Sequence, residues 1–184
     1  MRRFSSKERR PRGSSGAEPP AADDKTAEIA AVRLLARREH STRDLKRKLE
    51  SKGHAEDAVD RVLGKLTDKK LLSDERFAAS FVAHHGRRGQ GPVRIRAELR
   101  QQGASDDLIE AALARSDLNW TAIACEVRAR KFGPEPPQGR PERAKQARFL
   151  QYRGFSADQI RAALSGSTAS AVDHELDLSD PWLD

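Results

Sequence analysis

Apolar residues recur along this chain at spacings of three and four, and the polar and glycine steps that interrupt them recur too. Leu49-x3-Gly53-x5-Val59-x3-Leu63, Leu99-x3-Gly103-x5-Ile109-x3-Leu113 and Leu150-x3-Gly154-x5-Ile160-x3-Leu164 share one frame, with glycines 50 and 51 positions apart. A period of that length marks a small helical unit repeated in tandem, not a heptad or a hairpin. The pattern predicts an all-α fold of three tandem three-helix modules, each with a helix-turn-helix-like step after its glycine. Modules in a row lengthen one concave binding face and do not close a deep pocket.

Local signals place the elements. In the first module, helical spacing begins near Ala27 with Ile29, Val32 and Leu35. Ser41-Thr42-Arg43-Asp44 offers an N-cap hydroxyl with an acid three residues on, ahead of Leu45 and Leu49. Ala58, Val59, Val62, Leu63 and Leu66 form the third stripe. The second module opens at Ser73-Asp74-Glu75 with Phe77, Phe81 and Val82, resumes at Pro92 with Ile95 and Leu99, and restarts at Ser105 with Leu108 to Leu113. In the third, Trp120 to Val127 precedes a proline-rich, non-helical connector from Pro134 to Pro141. Helical pattern returns at Ala144, and Ser156-Ala157-Asp158-Gln159 is a full capping box. The boundaries expected are 1–25 for a disordered basic extension, 26–70, 71–116 and 117–164 for the modules, and 165–184 for an acidic tail.

Charge sharpens this picture. Lys and Arg number 35 against 28 Asp and Glu, a net +7 with a pI near 9.9, which suits a polyanionic partner. The distribution is uneven: +3 over residues 1–25, +9 over the body, and −5 over 165–184, where five acids stand without Lys or Arg. Such a tail is either a solubilising end or a competitor for the basic face. The single Cys125 excludes an internal disulfide and sits among small apolar residues, so it reads as a buried hydrophobe in a reducing compartment. No apolar run reaches the length of a membrane span, and a cytoplasmic monomer is expected.

Signals for catalysis are weak. Gly86-Arg87-Arg88-Gly89-Gln90-Gly91 follows a helix and lacks the Gly-Lys-Ser/Thr ending of a phosphate-binding loop, so it reads as a tight connector presenting two arginines. His84 and His85 are adjacent and point about 100° apart on a helix, unlike an i, i+4 metal pair. No nucleophile, base and orienter fall into a local signature. The expectation is a non-enzyme with no cofactor and no metal. Basic residues do recur by position: Lys46, Arg47, Lys48 and Lys52 in the first module, Arg94, Arg96 and Arg100 in the second, Arg143, Lys145, Arg148 and Arg153 in the third.

Four motifs in order across these modules resemble the RecX regulatory proteins of bacteria. They are Leu34-Leu35-Ala36-Arg37-Arg38-Glu39-His40-Ser41, Leu71-Leu72-Ser73-Asp74-Glu75-Arg76-Phe77-Ala78, Gly89-Gln90-Gly91-Pro92-Val93-Arg94-Ile95 and Arg148-Phe149-Leu150-Gln151-Tyr152-Arg153-Gly154-Phe155. The resemblance spans residues 27–164. It implies an elongated, curved array that lodges along the groove of the RecA–DNA filament, inhibits RecA's recombinase, ATPase and co-protease activities, and so modulates recombination, DNA repair and the SOS response. On that footing Arg76, Arg87, Arg88, Arg94, Arg96, Arg148 and Arg153 are the expected contacts to RecA or to single-stranded or duplex DNA. The alternative is a helix-turn-helix protein that reads duplex DNA directly.

Overall fold

The computed structural model describes residues 20–166. The extension 1–19 and the tail 167–184 lie outside the described residues. Between these limits run nine helices and no strand: α1 (Pro20–Leu35), α2 (Thr42–Ser51), α3 (Glu56–Asp68), α4 (Asp74–Arg87), α5 (Pro92–Gln101), α6 (Asp106–Ala114), α7 (Trp120–Phe132), α8 (Gly139–Tyr152) and α9 (Ala157–Leu164).

Each module encloses its own small core. Ala27, Ala31, Leu45, Leu49, Val59, Val62, Leu63 and Leu66 fill the first, and Leu72 folds back onto it from beyond α3. Phe77, Phe81, Val82, Ile95, Leu99, Ile109 and Leu113 fill the second. Ile123, Ala124, Val127, Leu150, Phe155 and Ala163 fill the third. Leu118 and Trp120 pack against both the second and the third, so these two modules share one apolar seam. Full burial of a leucine contributes about 1.5–3 kcal/mol, and these thin cores rest on few such residues.

The repeated Leu-x3-Gly has a specific cause. The N–H of His54 bonds the carbonyl of Leu49, that of Ala104 the carbonyl of Leu99, and that of Phe155 the carbonyl of Leu150, at 3.1–3.3 Å. The glycine N–H groups bond Glu50, Arg100 and Gln151 three residues back. This is the Schellman closure of a helix, which requires a left-handed residue after the last turn, and Gly53, Gly103 and Gly154 supply it at φ of 91°, 88° and 85°. The leucine both plugs the core and lends the carbonyl that ends its helix.

The joints between modules reuse one geometry. The opening of α2 sits on the α5–α6 turn: Ser41 Oγ donates to the carbonyl of Gln102 at 3.1 Å, the Thr42 N–H donates to Asp74 at 2.8 Å, and Arg43 lies against Gly103. The opening of α5 sits on the α8–α9 turn, where Gly91 N–H donates to Arg153 at 2.8 Å and Val93 N–H to Gly154 at 3.0 Å. A Cβ on Gly154 would fall 2.6 Å from the backbone nitrogen of Arg94, so here only glycine admits the neighbour. Gly53 has nothing within 4 Å of the same position among the described residues.

Two boundaries differ from expectation. Helix α1 begins at Pro20, before Ala27, because Asp23 and Asp24 are anchored by α3 and its approach: Asp23 accepts from Ala55 N–H and pairs with His54, both at 2.9 Å, while Arg61 donates to Asp24 at 2.6 Å. Residues 20–25 therefore belong to the first module. Helix α8 likewise begins inside the proline-rich segment, at Gly139, since Pro141 occupies its first turn, where a missing N–H leaves no intrahelical bond unmade.

Candidate nucleic-acid interface

The basic surface divides into cations that the fold already uses and cations that it leaves open. In the first module Lys46 meets Glu56 and Asp60 at 3.1 and 2.8 Å, and the Asp60 and Glu56 carboxylates push its pKa up to about 12. Arg47 and Lys48 both face Asp44. Asp44 is itself buried and accepts from His40 at 2.8 Å; that hydrogen bond, with Lys48 and Arg47, draws its carboxyl down to about 2. A cavity of about 330 Å³ at the first joint carries Arg38, Arg47 and Lys48, yet Asp44 and Glu98 stand in the same wall.

The expected contact residues separate along the same line. Arg76 donates to Glu39 at 2.8 Å and to the carbonyls of Lys70 and Leu71 at 3.0 Å each, tying the α3–α4 connector to the end of the first helix region. Arg96 grips Glu110 with two bonds of 2.5 and 2.9 Å, and each group holds the other in its charged form. Both guanidinium groups thus serve as struts within the chain, while remaining 45% and 33% exposed. Arg100 follows the same rule with Asp106 at 2.6 Å.

The second joint gathers the others. Arg153 stacks over Phe149 at 5.5 Å and donates to the carbonyl of Arg88 at 3.4 Å. Arg94 bonds Glu98 at 2.6 Å and lays its guanidinium over the ring of Tyr152 at 5.9 Å. Arg87 is exposed at the last position of α4, and Arg148 is exposed one turn before Tyr152. Among the described residues neither meets a carboxylate. Arg140, Arg143 and Lys145 share that condition, since the one acid of α8, Glu142, turns back to accept from Gln138 N–H and Gln146. Helix α8 is thus the element whose positive charge stays uncompensated, and it adjoins the joint that holds Arg88, Arg94 and Arg153.

Several buried polar groups escaped the hydrophobic pattern. Arg128 is 4% exposed and donates to the carbonyls of Glu135 and Pro134 at 2.7 and 2.8 Å, pinning the proline segment that launches α8. Gln146 is fully buried on the core face of α8. Together with Leu150 it sets the phase of that helix and turns Tyr152 outward, as the spacing of these residues along α8 dictates.

Comparison with known proteins decides what the array is. Family models for the first, second and third three-helix domains of RecX match residues 27–66, 73–113 and 121–164. The chain belongs to the RecX family. It is 49% identical to the regulatory protein RecX of Halorhodospira halophila over 138 residues, covering 75% of this chain and 86% of that one. Identity to the RecX of Pseudomonas syringae pv. tomato is 44% over 136 residues, covering 74% and 88%. The crystal structure of RecX from Lactobacillus salivarius superposes with a TM-score of 0.66 at 24% identity, over 79% of this chain and 96% of that one, a likeness of fold. The RecX assignment makes the chain a regulatory protein built of three tandem three-helix domains. Cys125 lies half-buried against the third core, and burial pushes its thiol pKa up, as suits a packing residue. No helix among the described residues is long and apolar enough to cross a membrane.

Proposed function

We propose that this RecX-family chain acts as a monomer in the cytoplasm, binds the RecA–DNA filament, and inhibits RecA's recombinase, ATPase and co-protease activities without chemistry of its own. Recombination, DNA repair and the SOS response are modulated as a result. The observation that carries this reading is the positive charge of α8 that meets no carboxylate among the described residues, with Arg87 and the Arg88–Arg153 joint beside it, on a three-module RecX frame. A filament carries phosphates along its whole length, and an array of small modules presents cations over a matching span.

Direct reading of duplex DNA by a helix-turn-helix module fits less well. Such a module points the N-terminal residues of its recognition helix at base edges. Here those residues are Glu56 and Asp57 in α3, Asp106 and Asp107 in α6, and Asp158 in α9. Carboxylates at every such position repel the phosphate walls of the groove.

The test is RecA's single-strand-dependent ATPase with the chain titrated in at several salt concentrations, beside an R87E/K145E/R148E variant. Dose-dependent inhibition that weakens in the variant, with helicity unchanged by circular dichroism, is the expected result. No inhibition at protein equimolar to RecA would overturn the proposal.

A further inference from the structure

Tyr152, the single tyrosine of the chain, is 80% exposed, whereas the next most open large apolar side chains among the described residues, Val93, Leu71, Ile29 and Val32, range from 51% down to 45%. The fold does not need the ring for its core, which Leu150 and Phe155 fill on the opposite side of the same turn. The hydroxyl makes no hydrogen bond among the described residues. The Arg94 guanidinium lies over the ring, 5.9 Å from its centroid, and donates to Glu98 at 2.6 Å.

Helical geometry puts Arg148 and Lys145, four and seven residues earlier, within about 40° of Tyr152 around α8. Both are exposed and neither meets a carboxylate among the described residues. A solvent-exposed ring followed along a helix by cations that meet no carboxylate among the described residues matches how single strands are bound: bases stack on aromatics while the backbone follows positive charge. A protein hot spot would bury the aromatic within surroundings that exclude water, whereas this ring is 80% exposed.

We propose that Tyr152 is a stacking platform for one unpaired nucleobase of single-stranded DNA, with Arg148 and Lys145 holding the adjoining phosphates. The inference rests on the filament-binding reading and gives it a point of contact on the strand. It is tested with fluorescently labelled (dT)20 and the full chain by anisotropy, across a salt series, for native, Y152A, Y152L, Y152F and R148E proteins. Loss of one stack should weaken binding of Y152A and Y152L roughly 5- to 100-fold, while Y152F stays near native. The log–log salt slope should be unchanged in Y152A and lower by about 0.7 in R148E. With 5-iodouracil in the strand, light-induced crosslinking should map to Tyr152.

Native affinity in Y152A, or in Y152L, would overturn stacking. So would a native chain that inhibits RecA yet does not bind (dT)20, a result that leaves the proposed function standing. A Y152A chain that binds the strand normally but no longer inhibits RecA would assign the ring to a protein contact and overturn the proposal as well. Strand binding through Tyr152 without RecA inhibition would sustain it and refute the filament reading.

Discussion

The three repeat glycines form a natural experiment on what joins the modules. All three adopt the same left-handed φ, so replacement by alanine costs each about 1–2 kcal/mol of backbone strain. They differ in what an added methyl meets: nothing within 4 Å at Gly53, the flexible Arg43 side chain at 2.7 Å at Gly103, and the backbone of Arg94 at 2.6 Å at Gly154. Gly53→Ala should therefore lose only the strain term. Gly103→Ala should lose slightly more as Arg43 swings aside. Gly154→Ala must part α5 from the α8–α9 turn, which adds roughly 1–3 kcal/mol of overpacking. Converted at roughly 2–4 °C per kcal/mol for a chain of this size, the expected losses in Tm are about 2–8 °C for Gly53→Ala and about 4–20 °C for Gly154→Ala. Thermal unfolding followed by circular dichroism reads the order. Amide exchange at Gly91 and Val93, whose N–H groups bond Arg153 and Gly154, reads the location, and should accelerate in Gly154→Ala alone. Equal losses for Gly53→Ala and Gly154→Ala, with protected Gly91 and Val93 amides in both, would refute the close packing of α5 on this turn as what joins the two modules.

Other consequences are as direct. Asp44 has its pKa lowered from 3.8 to about 2, so the stability it contributes, on the order of 2 kcal/mol, is fully present above about pH 4 and lost as pH falls toward 2; urea titrations of native and Asp44→Asn proteins should differ at pH 5 and converge near pH 2. Leu99→Ala, at a fully buried position, should cost about 2–5 kcal/mol in denaturant unfolding, whereas Leu71→Ala, half-exposed, should stay within about 0.5 kcal/mol. A double-mutant cycle on Arg96 and Glu110 should give a coupling below about 1 kcal/mol, and Arg96→Ala should leave RecA inhibition intact, since its guanidinium serves the α5–α6 pair. Cys125 should react with a thiol-specific reagent at pH 8 more slowly than it does in the urea-unfolded chain, because burial raises its pKa.

Much of this protein is decided by short-range chemistry and is therefore visible in one dimension. Helix ends depend on residues three to five positions apart: the hydroxyls of Ser41, Ser73, Ser105 and Ser156 cap the amides of Asp44, Arg76, Leu108 and Gln159, and the Leu-x3-Gly spacing closes the second helix of each module. Core faces follow from the same periodicity, so the tandem three-helix arrangement is legible. The start of α1 is not, because Asp23 and Asp24 owe their order to His54, Ala55 and Arg61, more than thirty positions away. The fate of each arginine is hidden for the same reason. Arg76, Arg96 and Arg148 look alike as letters in basic helices. Whether a guanidinium pairs within the chain depends on whether a carboxylate from another element comes within about 3 Å, and Coulombic pairing at that range is set only when helices pack. Local hydrogen bonds and hydrophobic phase made the RecX array readable from sequence; which of its charges remain available to a partner was decided by tertiary contact alone.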